Sequence, residues 1–457
     1  MSRASGNVVV TAAGSGAGKT LVTLALCAAL RERGVRVQPY KIGPDYIDAR
    51  FYARVAGRVA YNVDLWLDGE AGVRAHVAAT RGAADVALFE GMMGAYDGAN
   101  DGSGSTAAVA RTLDARTIAV IDCWAASQTA AAVAVGLRAF DPALDFAGVI
   151  LNRIAGDEHE RAVRDACERA GVQVLAVVRY DPSLEAADRR LGLDVAAVER
   201  RAAAVDILAR SLASDSNLMR WFGAVRSARR PSPSENAGTI ADAQRGETSR
   251  ALRPRIAFAQ DDAFWFTYPE TLEALCVAGA EPVPFSPLRD RTLPAGTDGI
   301  WIGGGYPETH ARELQENVTM RASIASACAA GRPTYGECGG LMYLAERLTT
   351  ERGTFAMVGA LRGATSIAQP RLQIGYRDAR ASVDTPLDRA GDTLRAYEFH
   401  YAAAALEEPV GAYEIAGGLR DGAATERVVA GFLHRHFLPG SAPIARFVAA
   451  CAAKEPS

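Results

Sequence analysis

The chain has 457 residues, 23% of them charged, and a formal net charge of −3 at neutral pH. At about 150 residues per domain, this length suggests two or three domains, and the weak negative charge gives no basic face for a nucleic-acid partner. The seven cysteines form no C-x-x-C pair, and no apolar run reaches the roughly 18 residues that a membrane-spanning helix needs. We therefore expect a cytoplasmic protein with free thiols that binds neither membranes nor nucleic acids.

The first recognisable element is a short apolar strand that leads into a glycine-rich loop. Residues 8–10 precede the loop 13–18, and a helical pattern begins at its end. The loop departs from the strict G-x-x-x-x-G-K-[ST] motif at its first position, where Ala13 stands. Backbone N–H groups of such a loop surround phosphates, its lysine neutralises their charge, and its threonine hydroxyl binds Mg²⁺. The residues that we expect to bind a nucleoside triphosphate are Ser15, Gly16, Gly18, Lys19 and Thr20.

A second strand, residues 35–40, runs into the segment Lys-Ile-Gly-Pro-Asp-Tyr-Ile-Asp at 41–48. Its Gly-Pro pair predicts a turn at the strand end, which is the edge of an open α/β sheet where ligands bind. Asp45 and Asp48 are therefore candidates to bind Mg²⁺ or to position a substrate. Helix capping in a solvated turn explains the same spacing equally well.

Further strands are predicted at 85–89, 117–121, 146–151 and 173–178, with helices between them. This alternation predicts a doubly wound parallel sheet. An acid directly after a buried strand, beside a phosphate loop, is the usual place for a Mg²⁺ ligand or a water-orienting group, which makes Glu90 and Asp97 candidates. Asn152 follows another strand and is a candidate to read the edge of adenine, although a plain turn fits it nearly as well.

The alternation stops between residues 214 and 253, where prolines and polar residues replace large apolar ones. This composition predicts an exposed linker. We therefore expect an N-terminal domain at 1–213 and a second domain at 254–448.

In the second domain, strand 299–302 ends in Gly303, Gly304 and Gly305. Consecutive glycines expose backbone N–H groups, as an oxyanion site requires, but a loose glycine turn is the alternative. The segment 333–342 then carries Cys338 between close glycines, which permits a sharp strand-to-helix turn like the elbow of hydrolases. A thiol at a helix start lies where the helix dipole stabilises negative charge. We expect Cys338 to be a nucleophile, with the amides of Gly304 or Gly305 and of Gly339 near the oxyanion.

A thiol nucleophile needs a base that is distant in sequence but near in space. Of the six histidines, two lie on a strand-like run near the C-terminus, and we select His434 as the base. The rival interpretation is that His434 and His436 bind a metal as a pair on one strand face. It is the weaker one, because no cysteine or carboxylate lies nearby in the sequence.

Together these motifs resemble the cobyrinic acid a,c-diamide synthase family, which includes the hydrogenobyrinic acid enzymes of vitamin B12 synthesis. The most specific segments are 41–48, 303–308, 337–344 and 398–401, and the resemblance covers nearly the whole chain apart from the linker and the last residues. It implies an α/β fold with two domains. The first is a P-loop domain similar to dethiobiotin synthetase, built on a doubly wound parallel sheet, and the second is a class I glutamine amidotransferase domain.

The resemblance also implies an activity: ADP-forming, glutamine-hydrolysing amidation of the a and c acetate carboxylates of cobyrinic or hydrogenobyrinic acid through acyl phosphates. Its substrates are then ATP, L-glutamine and the corrin, with Mg²⁺ as the cofactor. The residue roles implied are Lys19 on phosphates; Thr20, Asp45 and Glu90 on Mg²⁺; Asp48 at the substrate; and Cys338 and His434 in glutamine hydrolysis. From their positions in the sequence alone, we expect Asn152 on ATP and Asp97 at the substrate or acyl-phosphate site. A homodimer follows from analogy of fold alone.

Three alternatives stay open at this point. Cobyric acid synthases have similar domains but amidate four other side chains, and nickel-sirohydrochlorin a,c-diamide synthases amidate the same side-chain positions on a different tetrapyrrole. The third alternative is a P-loop nucleotide switch with a degenerate second domain. Glutaminases of this class often read His-x-Glu, whereas His436 occupies the third position here, so the sequence does not explain how His434 is oriented.

Overall fold

The computed structural model describes residues 6–45, 47–99, 101–182, 195–228, 253–407 and 410–453. The chain divides into two units, Met1–Arg245 and Gly246–Ser457, each described by itself. In the described ranges, no helix is both long enough and apolar enough to cross a membrane.

The first unit is a parallel β-sheet flanked by helices. Its described strands are β1 (Asn7–Ala12), β2 (Val37–Ile42), β3 (Tyr61–Val63), β4 (Val86–Glu90), β5 (Arg116–Asp122), β6 (Asp145–Ile154) and β7 (Val174–Arg179). Its described helices are α1 (Lys19–Glu32), α2 (Ile47–Ala56), α3 (Leu65–Arg81), α4 (Thr106–Thr112), α5 (Gln128–Phe140), α6 (Asp157–Arg169), α7 (Val195–Ser214) and α8 (Ser216–Ala228). The strand order is β3-β2-β4-β1-β5-β6-β7, and every pairing is parallel.

Apolar strands that are buried on both faces explain this sheet. β1 and β4 are buried along their whole length. On one face, Leu24 of α1 packs with Leu208 of α7 and Phe222 of α8 in one core cluster. A second cluster contains Tyr40 and Phe89, whose rings stack 4.5 Å apart. The predicted doubly wound parallel sheet is confirmed.

The predicted linker began too early in the chain. It was expected from residue 214, but α8 (Ser216–Ala228) is helical, and its Leu218, Phe222 and Val225 are buried in the core of the first unit. These three apolar residues recur at helical spacing and are buried like any other core face. Residues 229–252 of the predicted linker lie outside the described residues.

The second unit is built on a larger mixed sheet. Its described strands are β8 (Arg255–Ala259), β9 (Phe264–Phe266), β10 (Glu281–Phe285), β11 (Thr297–Ile302), β12 (Gly304–Gly305), β13 (Thr334–Glu337), β14 (Ala345–Thr350), β15 (Gly353–Ala356), β16 (Leu361–Ser366), β17 (Gln373–Ala381), β18 (Thr393–His400), β19 (Ala403–Leu406), β20 (Val410–Ile415), β21 (Leu419–Ala424), β22 (Val428–Gly431) and β23 (Leu433–His434). Its described helices are α9 (Pro269–Val277), α10 (Ala311–Glu316), α11 (Val318–Ala329), α12 (Gly339–Leu344) and α13 (Ala442–Ala452), with a 3₁₀ helix at Pro307–His310.

The main sheet has the order β10-β8-β11-β13-β22-β21-β20-β17-β18-β23. The pairings from β10 to β22 are parallel, and those from β22 to β23 are antiparallel. β13 lies between β11 and β22. Its carboxyl end therefore lies at the edge where parallel sheets place their ligands.

Candidate active sites

The glycine loop of the first unit connects β1 to α1. Gly16 and Gly18 have φ of +78° and +89°, the left-handed region that favours glycine. Lys19 begins α1 and turns back over the loop, where its Nζ donates a hydrogen bond to the Gly14 carbonyl at 2.8 Å. Ser15 and Gly16 are exposed. The loop therefore combines an accessible backbone with a lysine held across it, which is the arrangement that phosphates need.

Asn152 lies on β6 and supports this loop from the neighbouring strand. Its Nδ2 donates to the Ala17 carbonyl at 2.9 Å, and its side chain is buried. A Cβ at Gly18 would come within 2.4 Å of that Nδ2 atom, so the close approach requires glycine. Asn152 thus holds the shape of the loop; that it also reads adenine stays a prediction.

Glu90, the last residue of β4, contacts several side chains near the glycine loop. Its Oε1 accepts a hydrogen bond from Thr20 Oγ1 at 2.5 Å. Its Oε2 accepts one from the Tyr52 hydroxyl at 2.5 Å and lies 2.9 Å from Lys41 Nζ. Lys41 Nζ is also 3.3 Å from Asp45 Oδ2. The structure therefore brings Thr20, Glu90 and Asp45, three residues predicted from the sequence, into one cluster.

Two members of this cluster, Lys41 and Tyr52, were not predicted. Lys41 lies on β2, a strand that is buried at every position. A lysine in a buried strand indicates a negative group nearby, because a fully buried lysine requires a negative partner.

The oxygen donors in the cluster fit Mg²⁺. This ion is usually held by one or two carboxylates, phosphate oxygens and water. The hydroxyl of Thr20 and the carboxylate of Glu90 already lie within hydrogen-bond distance of each other, and Asp45 is connected to both through Lys41.

Two predicted acidic residues remain, Asp97 and Asp48, and the side chain is described only for Asp97. Asp97 is exposed, and its Oδ2 accepts the backbone N–H of Gly94 at 2.8 Å. The same turn is tied to β1, because Ala95 N donates to the Ala12 carbonyl at 2.9 Å. Asp97 therefore shapes a loop beside the phosphate loop. The backbone of Asp48 belongs to α2, while its side chain lies outside the described residues.

In the second unit, Cys338 lies in a sharp turn between β13 and α12. Its φ of +52° and ψ of −101° are unusual for a residue with a side chain. The neighbouring backbone is closely packed, because a Cβ at Gly340 would come within 2.1 Å of the Ile302 carbonyl. The strand-to-helix elbow predicted from the sequence is therefore present.

The three glycines expected near an oxyanion lie around this elbow. β12 pairs with β9 and carries Gly304 and Gly305. A Cβ at Gly339 would be 2.9 Å from Gly305 N, and one at Gly304 would be 3.1 Å from His434 Cε1. The structure thus brings Gly304, Gly305, Gly339 and His434 together beside Cys338.

His434 is buried between the thiol and a carboxylate. It hydrogen-bonds to Cys338, and its Nδ1 lies 3.0 Å from Glu337 Oε1. Burial lowers the pKa of His434, but the negative charges and hydrogen bonds of Cys338 and Glu337 outweigh it and hold that pKa above its usual value. The protonated imidazolium is therefore favoured in this site. Glu337 begins the segment 337–344 that carries the family resemblance, but no role was predicted for it.

The other two histidines of interest have different partners. His436 Nε2 lies 3.6 Å from Glu270 Oε1, and both side chains are buried. Because His434 and His436 face different carboxylates, their arrangement does not support the metal-pair interpretation. His400 Nε2 lies 3.0 Å from Glu398 Oε1. The carbonyl between these two residues, that of Phe399, lies 3.9 Å from Cys338 Sγ, so this motif borders the thiol.

Comparison with known proteins gives both units a family. Residues 8–193 match the CobQ/CobB/MinD/ParA nucleotide binding domain, and residues 255–442 match the CobB/CobQ-like glutamine amidotransferase domain. The cobyrinate a,c-diamide synthase of Syntrophotalea carbinolica is 38% identical over 95% of this chain and 96% of its own length. The hydrogenobyrinate a,c-diamide synthase of Streptomyces coelicolor is 38% identical over 97% of both chains. The cobyrinate a,c-diamide synthase of Methanosarcina acetivorans is 37% identical over 86% of this chain and 84% of its own. The chain belongs to the cobyrinate and hydrogenobyrinate a,c-diamide synthase family.

Proposed function

We propose that this chain amidates the a and c acetate carboxylates of cobyrinic or hydrogenobyrinic acid, using ATP and L-glutamine, in cobalamin biosynthesis. The observation that carries the proposal is the presence of two separate sites on one chain. One is the phosphate loop with its cluster around Glu90, and the other is the Cys338 elbow with His434. Relatives that match along nearly the whole chain support the same reaction.

The first unit carries the activation step. A carboxylate does not react with ammonia at neutral pH because oxide is a very poor leaving group. Transfer of the γ-phosphoryl group to a carboxylate oxygen releases ADP and makes an acyl phosphate, and attack by the lone pair of ammonia then expels phosphate. Lys19 offsets the charge that develops on the phosphoryl oxygens, and Lys41, which lies beside Glu90, adds to this effect.

The same unit binds the metal and the substrates. Thr20, Glu90 and Asp45 would hold Mg²⁺, which would supply positive charge to neutralise the phosphate oxygens. Asp48 and Asp97 position the corrin carboxylate or the acyl phosphate. Ser15, Gly16 and Gly18 surround the phosphates, while Asn152 supports the loop at the nucleotide.

The second unit releases ammonia from glutamine. His434 takes the proton of the Cys338 thiol, and the sulfur attacks the side-chain amide carbon of glutamine. The amides of Gly304 or Gly305 and of Gly339 stabilise the oxyanion. The imidazolium then gives its proton to the leaving nitrogen, and water hydrolyses the thioester to glutamate.

Two further expectations belong to the proposal. A cytoplasmic location agrees with the free cysteines of the described structure. A homodimer rests on fold analogy and is tested by light scattering coupled to gel filtration.

The test combines ADP release with product mass for several acceptors. With ATP, Mg²⁺ and glutamine, we expect cobyrinic or hydrogenobyrinic acid to stimulate ADP release and to gain two amides. Preference for the metal-free corrin selects hydrogenobyrinic acid. Two amides on nickel-sirohydrochlorin, or amidation of other side chains, selects one of the alternative tetrapyrrole enzymes. Failure of every tetrapyrrole to stimulate ATP turnover overturns the proposal and favours the nucleotide switch.

A further inference from the structure

We propose that Glu337 is the positioning residue of the glutaminase site: its carboxylate orients His434 and stabilises the imidazolium during glutamine hydrolysis. This inference rests on the proposed glutaminase function of the second unit. It answers the question that the sequence left open, since position 436 holds a second histidine instead of a carboxylate.

Both oxygens of Glu337 have defined partners. Oε1 lies 3.0 Å from His434 Nδ1. Oε2 accepts one hydrogen bond from the Tyr335 hydroxyl at 2.8 Å and another from the backbone N–H of Arg435 at 3.1 Å. Glu337 is 5% exposed and His434 3%. A carboxylate with its second oxygen fixed in this way has little freedom to turn away from the imidazole.

The partners of Glu337 are themselves held in place. Tyr335 lies two residues earlier on β13 and therefore on the same face of the strand. Burial, followed by the nearby charge of Glu337, raises the pKa of Tyr335 well above its usual value, so its hydroxyl remains a donor at neutral pH. The guanidinium of Arg435 makes two hydrogen bonds to Asp388, at 2.7 and 3.0 Å. This buried ion pair fixes the backbone segment that carries both His434 and the N–H bound by Glu337.

The other carboxylates near His434 pair with other groups and do not contact its imidazole in the described contacts. Glu398 bonds to His400 at 3.0 Å and to Arg377 at 2.7 Å. Glu270 faces His436. Asp421 accepts the backbone N–H groups of Phe432 at 2.9 Å and Leu433 at 3.1 Å, which holds the strand segment just before His434.

The chemistry follows from which nitrogen Glu337 occupies. A carboxylate on Nδ1 keeps that nitrogen protonated and leaves Nε2 for the Cys338 thiol. It also stabilises the positive charge that His434 gains when it takes the thiol proton. Because Glu337 directly precedes the nucleophile, consecutive residues supply the orienting carboxylate, the thiol and the Gly339 oxyanion amide.

The experiment measures glutamate release from glutamine by the full chain, in the presence of ATP, Mg²⁺ and the corrin. Glu337→Gln should lower kcat about a thousandfold, because the amide neither fixes the tautomer nor carries charge. It should also move the alkaline limb of the pH–rate profile to lower pH, because the imidazolium loses its negative partner. Glu337→Asp keeps the charge on a shorter side chain and should recover part of the rate. The matched control is Glu270→Gln, another buried glutamate beside a histidine, which should leave both the rate and the pH profile unchanged.

Two measurements distinguish a positioning role of Glu337 from a folding defect in Glu337→Gln and from failure of the proposed function. The rate at which iodoacetamide modifies Cys338, followed by peptide mass against pH, needs no corrin and should fall in Glu337→Gln. Amidation with ammonium in place of glutamine should stay near the wild-type rate in that variant. Wild-type glutamine kinetics in Glu337→Gln, or equal loss of the ammonium-dependent and glutamine-dependent reactions, would overturn the assignment. Absence of ammonium-dependent amidation in the wild-type chain contradicts the proposed function instead, while glutamine hydrolysis and alkylation still decide the role of Glu337.

Discussion

Glu90 illustrates how single residues are constrained in the first unit. It is 1% exposed and faces the buried Lys41, whose charge offsets its own. Burying either charge alone would cost several kcal/mol, so the pair must remain matched. In the proposed reaction, Glu90 would exchange its hydrogen bond from Thr20 for metal coordination, and Lys41 would gain a phosphate as a negative partner.

We therefore predict that Glu90→Gln lowers corrin-dependent ADP release at least about a hundredfold, since a neutral amide is a poor Mg²⁺ ligand. Glutamine hydrolysis measured without acceptor should change little, because the thiol site is built from other residues. The control is Asp85→Asn, just before the same strand, where the carboxylate pairs with the exposed Arg36. Equal loss of ADP release in both variants would contradict a metal-binding role for Glu90.

From the sequence, a residue could be selected as a candidate where its own position carries a signal, and its role stays a prediction. Cys338 was recognisable from the surrounding glycines, and Glu90 from its place directly after an apolar strand. Glu337 was missed because its partner is 97 residues away along the chain. That contact depends on the pairing of β13 with β22 and on the segment that continues from β22 to His434, and spacing within one strand does not reveal it.

At the scale of elements, β12 shows why the second unit needs glycine at particular positions. This two-residue strand lies against β9, and a Cβ at Gly305 would come within 2.0 Å of the Ala263 carbonyl. Gly305 also has a φ of +159°. A Cβ at Gly304 meets no backbone so closely and would instead be 3.1 Å from His434 Cε1. An added side chain would therefore meet backbone at Gly305 and the His434 ring at Gly304.

We predict that Gly305→Ala destabilises the second unit, by roughly 1–3 kcal/mol or more, because backbone atoms must move. Gly304→Ala should leave the unit folded but lower glutamine hydrolysis at least about tenfold, because His434 must shift. Thermal unfolding and glutamate release distinguish the two outcomes. Gly136→Ala in α5 is the control, since a Cβ there meets nothing within 4 Å, and it should stabilise slightly. Full glutaminase activity in Gly304→Ala would contradict close contact with His434.

Elements were predictable where their pattern was strong. Six of the seven described parallel strands of the first unit were predicted within a few residues, because they are continuous apolar runs, whereas the three-residue β3 was not predicted. The strands of the second unit from β14 to β21 were not predicted. They carry polar and small residues, such as Leu-Arg-Asp-Gly-Ala-Ala in β21, and half-exposed strands of this kind have a weak signal. The helix α8 was missed because it follows α7 directly and precedes a polar stretch.

At the scale of the whole molecule, the described hydrophobic clusters divide between the two units, which correspond to the two chemical tasks. The core around α1, α7 and α8 contains residues of the first unit, and the clusters around Cys338 and Trp301 contain residues of the second. The chain length already indicated more than one domain, and the change of pattern between residues 214 and 253 indicated a boundary. Separate cores of this size are expected to unfold as separate cooperative units.

We predict that a non-hydrolysable ATP analogue with Mg²⁺ raises the unfolding temperature of the first unit and not that of the second. Scanning calorimetry should then resolve two transitions, of which only one moves. At a ligand concentration of about 100 times the dissociation constant, the stabilisation is about 2.7 kcal/mol, which for a unit of this size corresponds to roughly 5–10 °C. Lys19→Ala should abolish the shift because the phosphates lose their positive partner, whereas Cys338→Ala should leave it unchanged. A single transition that moves as a whole would contradict independent unfolding, and a shift that persists in Lys19→Ala would contradict nucleotide binding at the glycine loop.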